Sequence, residues 1–155
     1  MLDVNTPAAP VAETDLRAAM EHFFFAYQAF TAKPDEILAR RGLARVHHRV
    51  LFFLARHPGQ SVKALLATLN VSKQALNMPL RQLIEMGLVN AEADPADKRM
   101  KRLLLSMDGA KLEATLYREQ ARLLETALER AGSDAATGWH AFNHALSPPP
   151  DEEAP

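Results

Sequence analysis

The feature that most constrains the fold of this chain is a pair of apolar helical segments separated by only Asn70 and Val71. Ser61 can cap the first segment, which carries leucines on one side, and Ser72 can cap the second. Asn70 suits the left-handed residue that ends a helix, and Gly87 is a typical stop for the helix that follows. Two helices joined by so sharp a corner predict a helix-turn-helix.

The segment after Gly87 loses the helical period and predicts a β-hairpin, with strands at residues 88–93 and 101–105 around a polar tip. The hairpin concentrates four basic side chains: Lys98, Arg99, Lys101 and Arg102. Like charges on one hairpin repel each other, so folding gains nothing from them, whereas binding to a polyanion would explain them. A merely solubilising strand edge is the alternative.

Longer helices flank this unit. Apolar residues recur every three or four positions from Glu13, and the Lys33-Pro34 pair is expected to end this first helix because proline lacks the amide that helix continuation needs. Further helices are predicted at residues 44–56, 107–131 and 133–146. The fold class is therefore mainly α with a small β-hairpin wing: a winged helix-turn-helix at residues 43–106, flanked by N- and C-terminal helices at 13–32 and 107–146 that the family resemblance given below implies are dimerisation helices.

This arrangement predicts a single domain at residues 13–147, preceded by a flexible arm at 1–12 and followed by a disordered proline-rich and acidic tail at 148–155. Charge is distributed unevenly along the chain. Residues 40–102 hold twelve Lys or Arg against four acids, whereas the flanks hold six basic and fifteen acidic residues. A middle segment of charge +8 predicts a surface that binds a polyanion.

On a helical wheel, the second helix of the helix-turn-helix presents polar side chains opposite its core stripe of Leu76, Leu80, Leu83 and Ile84. Gln and Asn can read adenine and Arg can read guanine in a major groove. The residues predicted to meet the major groove are Ser72, Lys73, Gln74, Asn77, Met78 and Arg81. Gln82 and Glu85 share the polar face, but Pro79 is expected to kink the helix before them. The alternative is an ordinary solvated helix face.

Arg99, near the hairpin tip, suits a narrow and electronegative minor groove, and Lys98, Lys101 and Arg102 suit phosphates. Asp97 is expected to orient the wing by holding the Arg99 guanidinium.

Two stretches of sequence resemble the winged helix-turn-helix of the MarR family of bacterial transcription regulators. One is residues 69–76 followed by 83–89, which is similar to the recognition helix and its Gly-Leu-Val exit; the other is residues 94–99 with Leu103, Leu105, Ser106 and Gly109. The resemblance implies a sequence-specific regulator of transcription, more often a repressor, that binds a palindromic double-stranded DNA operator as a homodimer.

The homodimer would be formed by the interlocking terminal helices. Its predicted interface residues are Leu16, Met20, Phe23, Tyr27, Leu116, Leu123, Leu128, Trp139 and Phe142. A small phenolic or other amphipathic anion could act as effector, although the aromatic stripe of the first helix favours packing over a ligand pocket. The alternative function is a winged-helix protein-interaction or scaffold module whose basic wing docks an acidic protein.

Composition excludes several other classes. The chain has no cysteine, so no disulfide, thiolate nucleophile or Cys-based zinc site is expected. The pairs His47-His48 and His140/His144 supply too few ligands for a zinc site, and no catalytic constellation is recognisable, so neither a metal nor an enzymatic activity is predicted. With no apolar run long enough for a bilayer and a polar N-terminus, we expect a soluble, cytoplasmic protein.

Overall fold

A computed structural model of the chain describes residues 10–147, so the predicted tail and residues 1–9 of the predicted arm lie outside the described residues. The architecture is mainly helical with one small sheet, as predicted. Its elements are, in order, α1 Glu13–Ala39, α2 Arg45–Arg56, β1 Gln60–Ser61, α3 Val62–Leu69, α4 Lys73–Glu85, β2 Val89–Ala93, β3 Lys101–Leu105, α5 Met107–Ala131 and α6 Ala135–Leu146. None of the helices within residues 10–147 is both long and apolar enough to span a membrane.

Helix α1 does not end at Lys33-Pro34, and the sequence prediction was wrong on this point: the helix continues through Pro34 to Ala39. Proline cannot donate an amide hydrogen to the carbonyl of Phe30, four residues earlier. The side chain of Gln120, on α5, replaces that donor, with Nε2 donating to the Phe30 carbonyl oxygen over 3.3 Å. A side chain from a second helix therefore compensates for the bond that Pro34 removes.

The core is formed by leucine and valine side chains of α2, α3, α4, the sheet and the first turns of α5, together with Leu38 from the end of α1 and the loop residues Leu43 and Leu88. Leu51, Leu65, Leu76 and Leu83 are fully buried there, as their helical spacing predicts. Ile84 was predicted to join this stripe but is 38% exposed, so that prediction was wrong. Helix α4 contacts the core only through the narrow stripe of Leu76, Leu80 and Leu83, so the side chain of Ile84 lies at the edge of this stripe and faces solvent.

Leu116 was predicted to lie in the dimer interface, and the structure corrects this. The side chain is fully buried within its own chain, in the core cluster together with Leu112. The first half of α5 packs on the lobe formed by α2 to β3, which we call the winged lobe, so its stripe is already covered. The later part of α5 leaves apolar side chains such as Leu123 exposed.

The sheet has three antiparallel strands in the order β1-β3-β2, and the sequence analysis missed β1. This strand has only two residues and no alternating pattern, but it pairs Gln60 with Leu103 and Ser61 with Arg102. The predicted hairpin is confirmed, with Val89 opposite Leu105 and Ala93 opposite Lys101. We call β2, β3 and the connecting residues 94–100 the wing.

The start of α5 is fastened to the root of the wing. Ser106 caps α5 by accepting the Gly109 amide on Oγ over 3.0 Å, and the same hydroxyl donates to the Gly87 carbonyl over 2.6 Å. Its own amide donates to the Leu88 carbonyl. At Gly109 the backbone passes so close to Leu88 that an added Cβ would clash with the Leu88 carbonyl oxygen. The exit of α4 and the beginning of α5 therefore form one tight junction.

Candidate nucleic-acid interface

The helix-turn-helix is formed as the sequence predicts. Ser61 and Ser72 cap α3 and α4, each accepting the amide three residues later over 3.1 Å. Asn70 adopts the left-handed conformation, with φ of 51°, that ends α3. The two caps and this turn leave only residues 70–72 between the helices, so α4 projects from a sharp corner.

The predicted major-groove residues lie together on the exposed side of α4 and at its first turn. All of them are exposed: Ser72, Lys73, Gln74, Asn77, Met78 and Arg81. Met78 is the extreme case, at 69% exposure for a large apolar side chain. This face therefore combines amide groups, cations and one apolar side chain, which are the types that contact base edges and the thymine methyl group.

Gln82 does not belong to this exposed face, although the helical wheel placed it there. Its Oε1 lies 2.9 Å from Nε2 of His47, and its Nε2 donates to the Gly42 carbonyl over 3.4 Å. His47 is buried, and its Nδ1 accepts the Ala44 amide over 2.9 Å. Sequence reasoning missed both contacts of His47. A signal existed only for the one with Ala44: this residue is the N-cap of α2 and has no capping side chain, and a histidine follows it three residues later.

Helix α4 runs through Pro79 without interruption, from Lys73 to Glu85. Pro79 supplies no amide hydrogen to the Ala75 carbonyl, so the two halves of α4 are joined by one hydrogen bond fewer than in an ordinary helix. Packing of Leu80 and Leu83 in the core holds the second half in place.

The wing tip is ordered by aspartates. The Asp94 carboxylate accepts the Ala96 amide over 2.8 Å, and Asp97 accepts the Arg99 amide over 3.0 Å. Asp97 was predicted to hold the guanidinium of Arg99, but in the structure it holds the backbone amide of Arg99 instead. Such local turns fix the loop without consuming the charge of Arg99.

Among the described residues, the basic side chains of this surface have no carboxylate partners. The ion pairs within residues 10–147 all involve an acidic residue of α1, which pairs with a basic residue of the same helix, with its C-cap Arg40 or with Arg45. None of them involves the cations of α4 or the wing: Lys73, Arg81, Lys98, Arg99, Lys101 and Arg102. A cluster of cations that form no ion pairs within the described residues favours binding to an external polyanion.

Arg102 differs from the other wing cations because it is half-buried. Its side chain lies over Gly59, where an added Cβ would approach Nη2 to 2.5 Å. Across the strands it stands opposite Glu92 and Ser61. Arg102 therefore packs against the turn before β1, while Lys98, Arg99 and Lys101 extend into solvent.

Apolar side chains remain exposed on the terminal helices. In α1, the first two thirds of the helix bury nothing, and Met20 and Phe23 are more than half exposed. No residue of α6 is buried. The predicted interface residues that stay accessible are Leu16, Met20, Phe23, Tyr27, Leu123, Leu128, Trp139 and Phe142. Tyr27 also carries the Arg45 guanidinium at 5.4 Å from its ring centre.

Two open clefts border α5. One, of about 240 Å³, lies between α1 and α5 and is lined in part by Phe30 and Arg122. The other, of about 540 Å³, lies between α2 and α5 and is lined by Phe52, Phe53, Ala55, Arg56, His57, Glu113 and Tyr117. Burial raises the pKa of Glu113. Among residues 10–147, no group of three or more His, Asp or Glu side chains lies close enough to hold a metal ion.

Comparison with known sequences identifies a matching family model and a related protein. The family model described as MarR family matches residues 41–100. An HTH-type transcriptional regulator of Rhodobacter capsulatus, PetP, is 38% identical over 153 residues, which covers 96% of this chain and 92% of that protein.

Solved structures of similar fold include a MarR family transcription regulator, with a TM-score of 0.72 at 24% identity over 86% of this chain and 89% of that chain. MarR of S. aureus in complex with salicylate and kanamycin gives a TM-score of 0.69 at 18% identity, covering 92% and 96% of the two chains. A MepR variant of S. aureus bound to an oligodeoxyribonucleotide gives 0.58 at 17% identity, covering 88% and 96%. At these identities the likeness concerns the fold.

Proposed function

The chain belongs to the MarR family of transcription regulators, with a DNA-binding winged helix, and from this premise we propose that it is a homodimeric repressor of a palindromic operator. In this proposal α4 is the recognition helix, the wing holds the flanking backbone and minor groove, and the terminal helices join two copies. The function is binding, and it requires no catalytic step.

The observation that carries the proposal is the exposed surface of α4 and the wing, whose cations have no carboxylate partners among the described residues. Gln74, Asn77 and Arg81 can pair with base edges, each good bidentate contact discriminating by about 1–3 kcal/mol. Lys73, Lys98 and Lys101 suit phosphates, which set affinity without reading sequence. Arg99, whose backbone is fixed by Asp97, suits the minor groove.

Two matched variants test this division of roles. Gln74→Ala should weaken binding to the operator selectively, because it removes a base contact. Lys101→Ala should weaken binding to all duplexes alike and reduce the slope of log affinity against log salt by about one per protomer. Fluorescence anisotropy with an operator selected from a random pool and an unrelated duplex of equal length measures both effects. An equal loss on both duplexes for both variants would contradict the assignment.

A second copy of the chain is proposed to cover the exposed apolar faces of α1 and α6, because a monomer rarely leaves so large an apolar surface in water. The two-fold symmetry of such a dimer matches an inverted repeat in the operator. Light scattering should give twice the chain mass, and Phe23→Glu should lower it towards the monomer. A stable monomer at micromolar concentration, with an operator that lacks two-fold symmetry, would contradict this part.

The proposed effector site is the cleft between α2 and α5. Phe52 and Tyr117 offer aromatic contacts there, and Arg56 offers positive charge near the end of α2, which suits a small aromatic carboxylate. Salicylate is bound by one of the S. aureus proteins of similar fold, so it is the first probe. Calorimetry should detect its binding to the wild-type protein, and Arg56→Ala should abolish it while Arg122→Ala, in the other cleft, leaves it unchanged.

The alternative function, a scaffold module that docks an acidic protein, predicts different salt behaviour. A DNA-binding dimer with six to ten phosphate contacts loses about 10³–10⁵ in affinity between 50 and 200 mM salt. A scaffold module would bind no duplex specifically even at low salt, and selection from a random pool would recover no shared sequence.

A further inference from the structure

The buried imidazole of His47 connects two helices and has no part in the surfaces described above. The residue is only 6% exposed, at the first turn of α2. Its Nδ1 lies 2.9 Å from the Ala44 amide nitrogen, and its Nε2 lies 2.9 Å from Oε1 of Gln82 on α4. The ring therefore spans from the beginning of α2 to the second half of the recognition helix.

The geometry fixes where the protons lie. A backbone amide can only donate, so Nδ1 of His47 must be the bare, accepting nitrogen. A neutral imidazole then carries its hydrogen on Nε2, which donates to Gln82 Oε1. This leaves the amide group of Gln82 free to donate to the Gly42 carbonyl, 3.4 Å away. The donors and acceptors form one consistent chain from Ala44 through His47 and Gln82 to Gly42.

This chain of hydrogen bonds reaches α4 just after Pro79, where the helix lacks one backbone hydrogen bond. Gln82 lies three residues after Pro79, which leaves the two halves of α4 joined by one hydrogen bond fewer. Arg81 directly precedes Gln82 and is exposed on the proposed base-reading face. A side chain that anchors Gln82 therefore also sets the direction of the helix segment that carries Arg81.

We infer that His47 and Gln82 form a latch that positions the recognition helix against α2 and the Gly42 turn, and so contributes to operator specificity. The inference rests on the proposed function, because specificity is defined only for a DNA-binding protein. His47 is a positioning residue, since it acts on DNA recognition only through Gln82.

Three substitutions test the latch. His47→Leu and Gln82→Leu should each weaken operator binding between about threefold and tenfold, because DNA binding must then fix the direction of α4 itself, at a cost bounded by the strength of the lost hydrogen bond. Affinity for an unrelated duplex should change less than about twofold, because phosphate contacts on the wing remain. His47→Gln should restore most of the loss, since one amide group can accept from Ala44 and donate to Gln82. His48→Gln, at the neighbouring position outside the latch, is the matched control and should bind like the wild type.

The double variant should lose clearly less than the sum of the two single losses, because both changes remove the same bond between His47 and Gln82. Additive losses, equal losses on both duplexes, or full operator affinity in His47→Leu would each overturn the inference. Nitrogen-15 NMR of the free protein tests it without DNA and should place the His47 hydrogen on Nε2; a hydrogen on Nδ1 would overturn it even if operator binding is intact. If the wild type bound no duplex at all, the proposed function would fail, and the NMR result together with the same double-variant cycle on unfolding would still decide whether the latch exists.

Discussion

The contact between Gln120 and the Phe30 carbonyl gives a quantitative test of how α1 passes through Pro34. In Gln120→Leu the donor is removed with little change in side-chain volume, and the Phe30 carbonyl then has neither an amide nor a side-chain partner. Leaving a buried acceptor unsatisfied costs about 1–3 kcal/mol. Because Phe30 is only half-buried and the bond is long at 3.3 Å, we expect the lower end, about 1 kcal/mol.

The control is the same substitution in a Pro34→Ala background. That background restores a backbone amide that can donate to the Phe30 carbonyl, so the Gln120 side chain would no longer be needed there, and its removal should cost less than about 0.5 kcal/mol. Urea unfolding of the four proteins at one fixed protein concentration, followed by circular dichroism, gives the coupling between the two sites. An equal loss in both backgrounds would refute the compensation.

Three further outcomes follow from the described contacts. Gly109→Ala should lower the free energy of unfolding by at least about 2 kcal/mol through the clash with Leu88, whereas Gly138→Ala, which meets no neighbour, should raise it by up to about 1 kcal/mol; urea unfolding compares them. Burial lowers the pKa of His48, so the unfolded chain binds the proton more readily and stability should fall as pH drops below about 6.5, and His48→Gln should flatten the thermal-unfolding curve against pH in that window. Burial raises the pKa of Glu113, so its effect on stability has the opposite sign. The protonated carboxyl group should stabilise the fold below about pH 4.5, and this stabilisation should be lost as the pH rises through the pKa of the folded state. Glu113→Gln should remove this pH dependence.

The sequence predicted best those elements that local chemistry specifies. Ser61, Ser72 and Ser106 each precede an apolar periodic segment, and each caps a helix in the structure. The start and end of α5 were predicted at the residues where they lie, because Ser106 and Gly132 mark them. The side chain and the backbone group of such a cap lie within three or four residues of each other, so both can be recognised in the sequence.

The errors arose where a distant residue decides the outcome. Pro34 predicted a helix end because its compensating donor, Gln120, lies far along the chain on α5. Gln82 was assigned to the polar face since the wheel contains no information about His47 on another helix. Leu116 was assigned to a dimer interface because a stripe of leucines on a helix does not show whether the winged lobe of the same chain or a second copy covers it. Strand β1 was missed because two residues carry no period and only its pairing with β3 defines it.

The base contacts and the effector stay predictions, because both depend on molecules outside the chain. Their exposure and amide groups suit Gln74 and Asn77 to base edges, and Arg56 suits the α2–α5 cleft to an anion.

The junction at Gly109 also limits how this protein can diversify. With no room for even one methyl group between α5 and the Leu88 backbone, the long helix cannot slide along the root of the wing to suit a different operator. In the proposed homodimer, recognition of half-sites set further apart would then require a longer α5 or a new crossing angle between the two copies. We therefore expect changes in operator spacing to arise from changes in the terminal helices, while Gly109 is retained at the junction between the wing and α5.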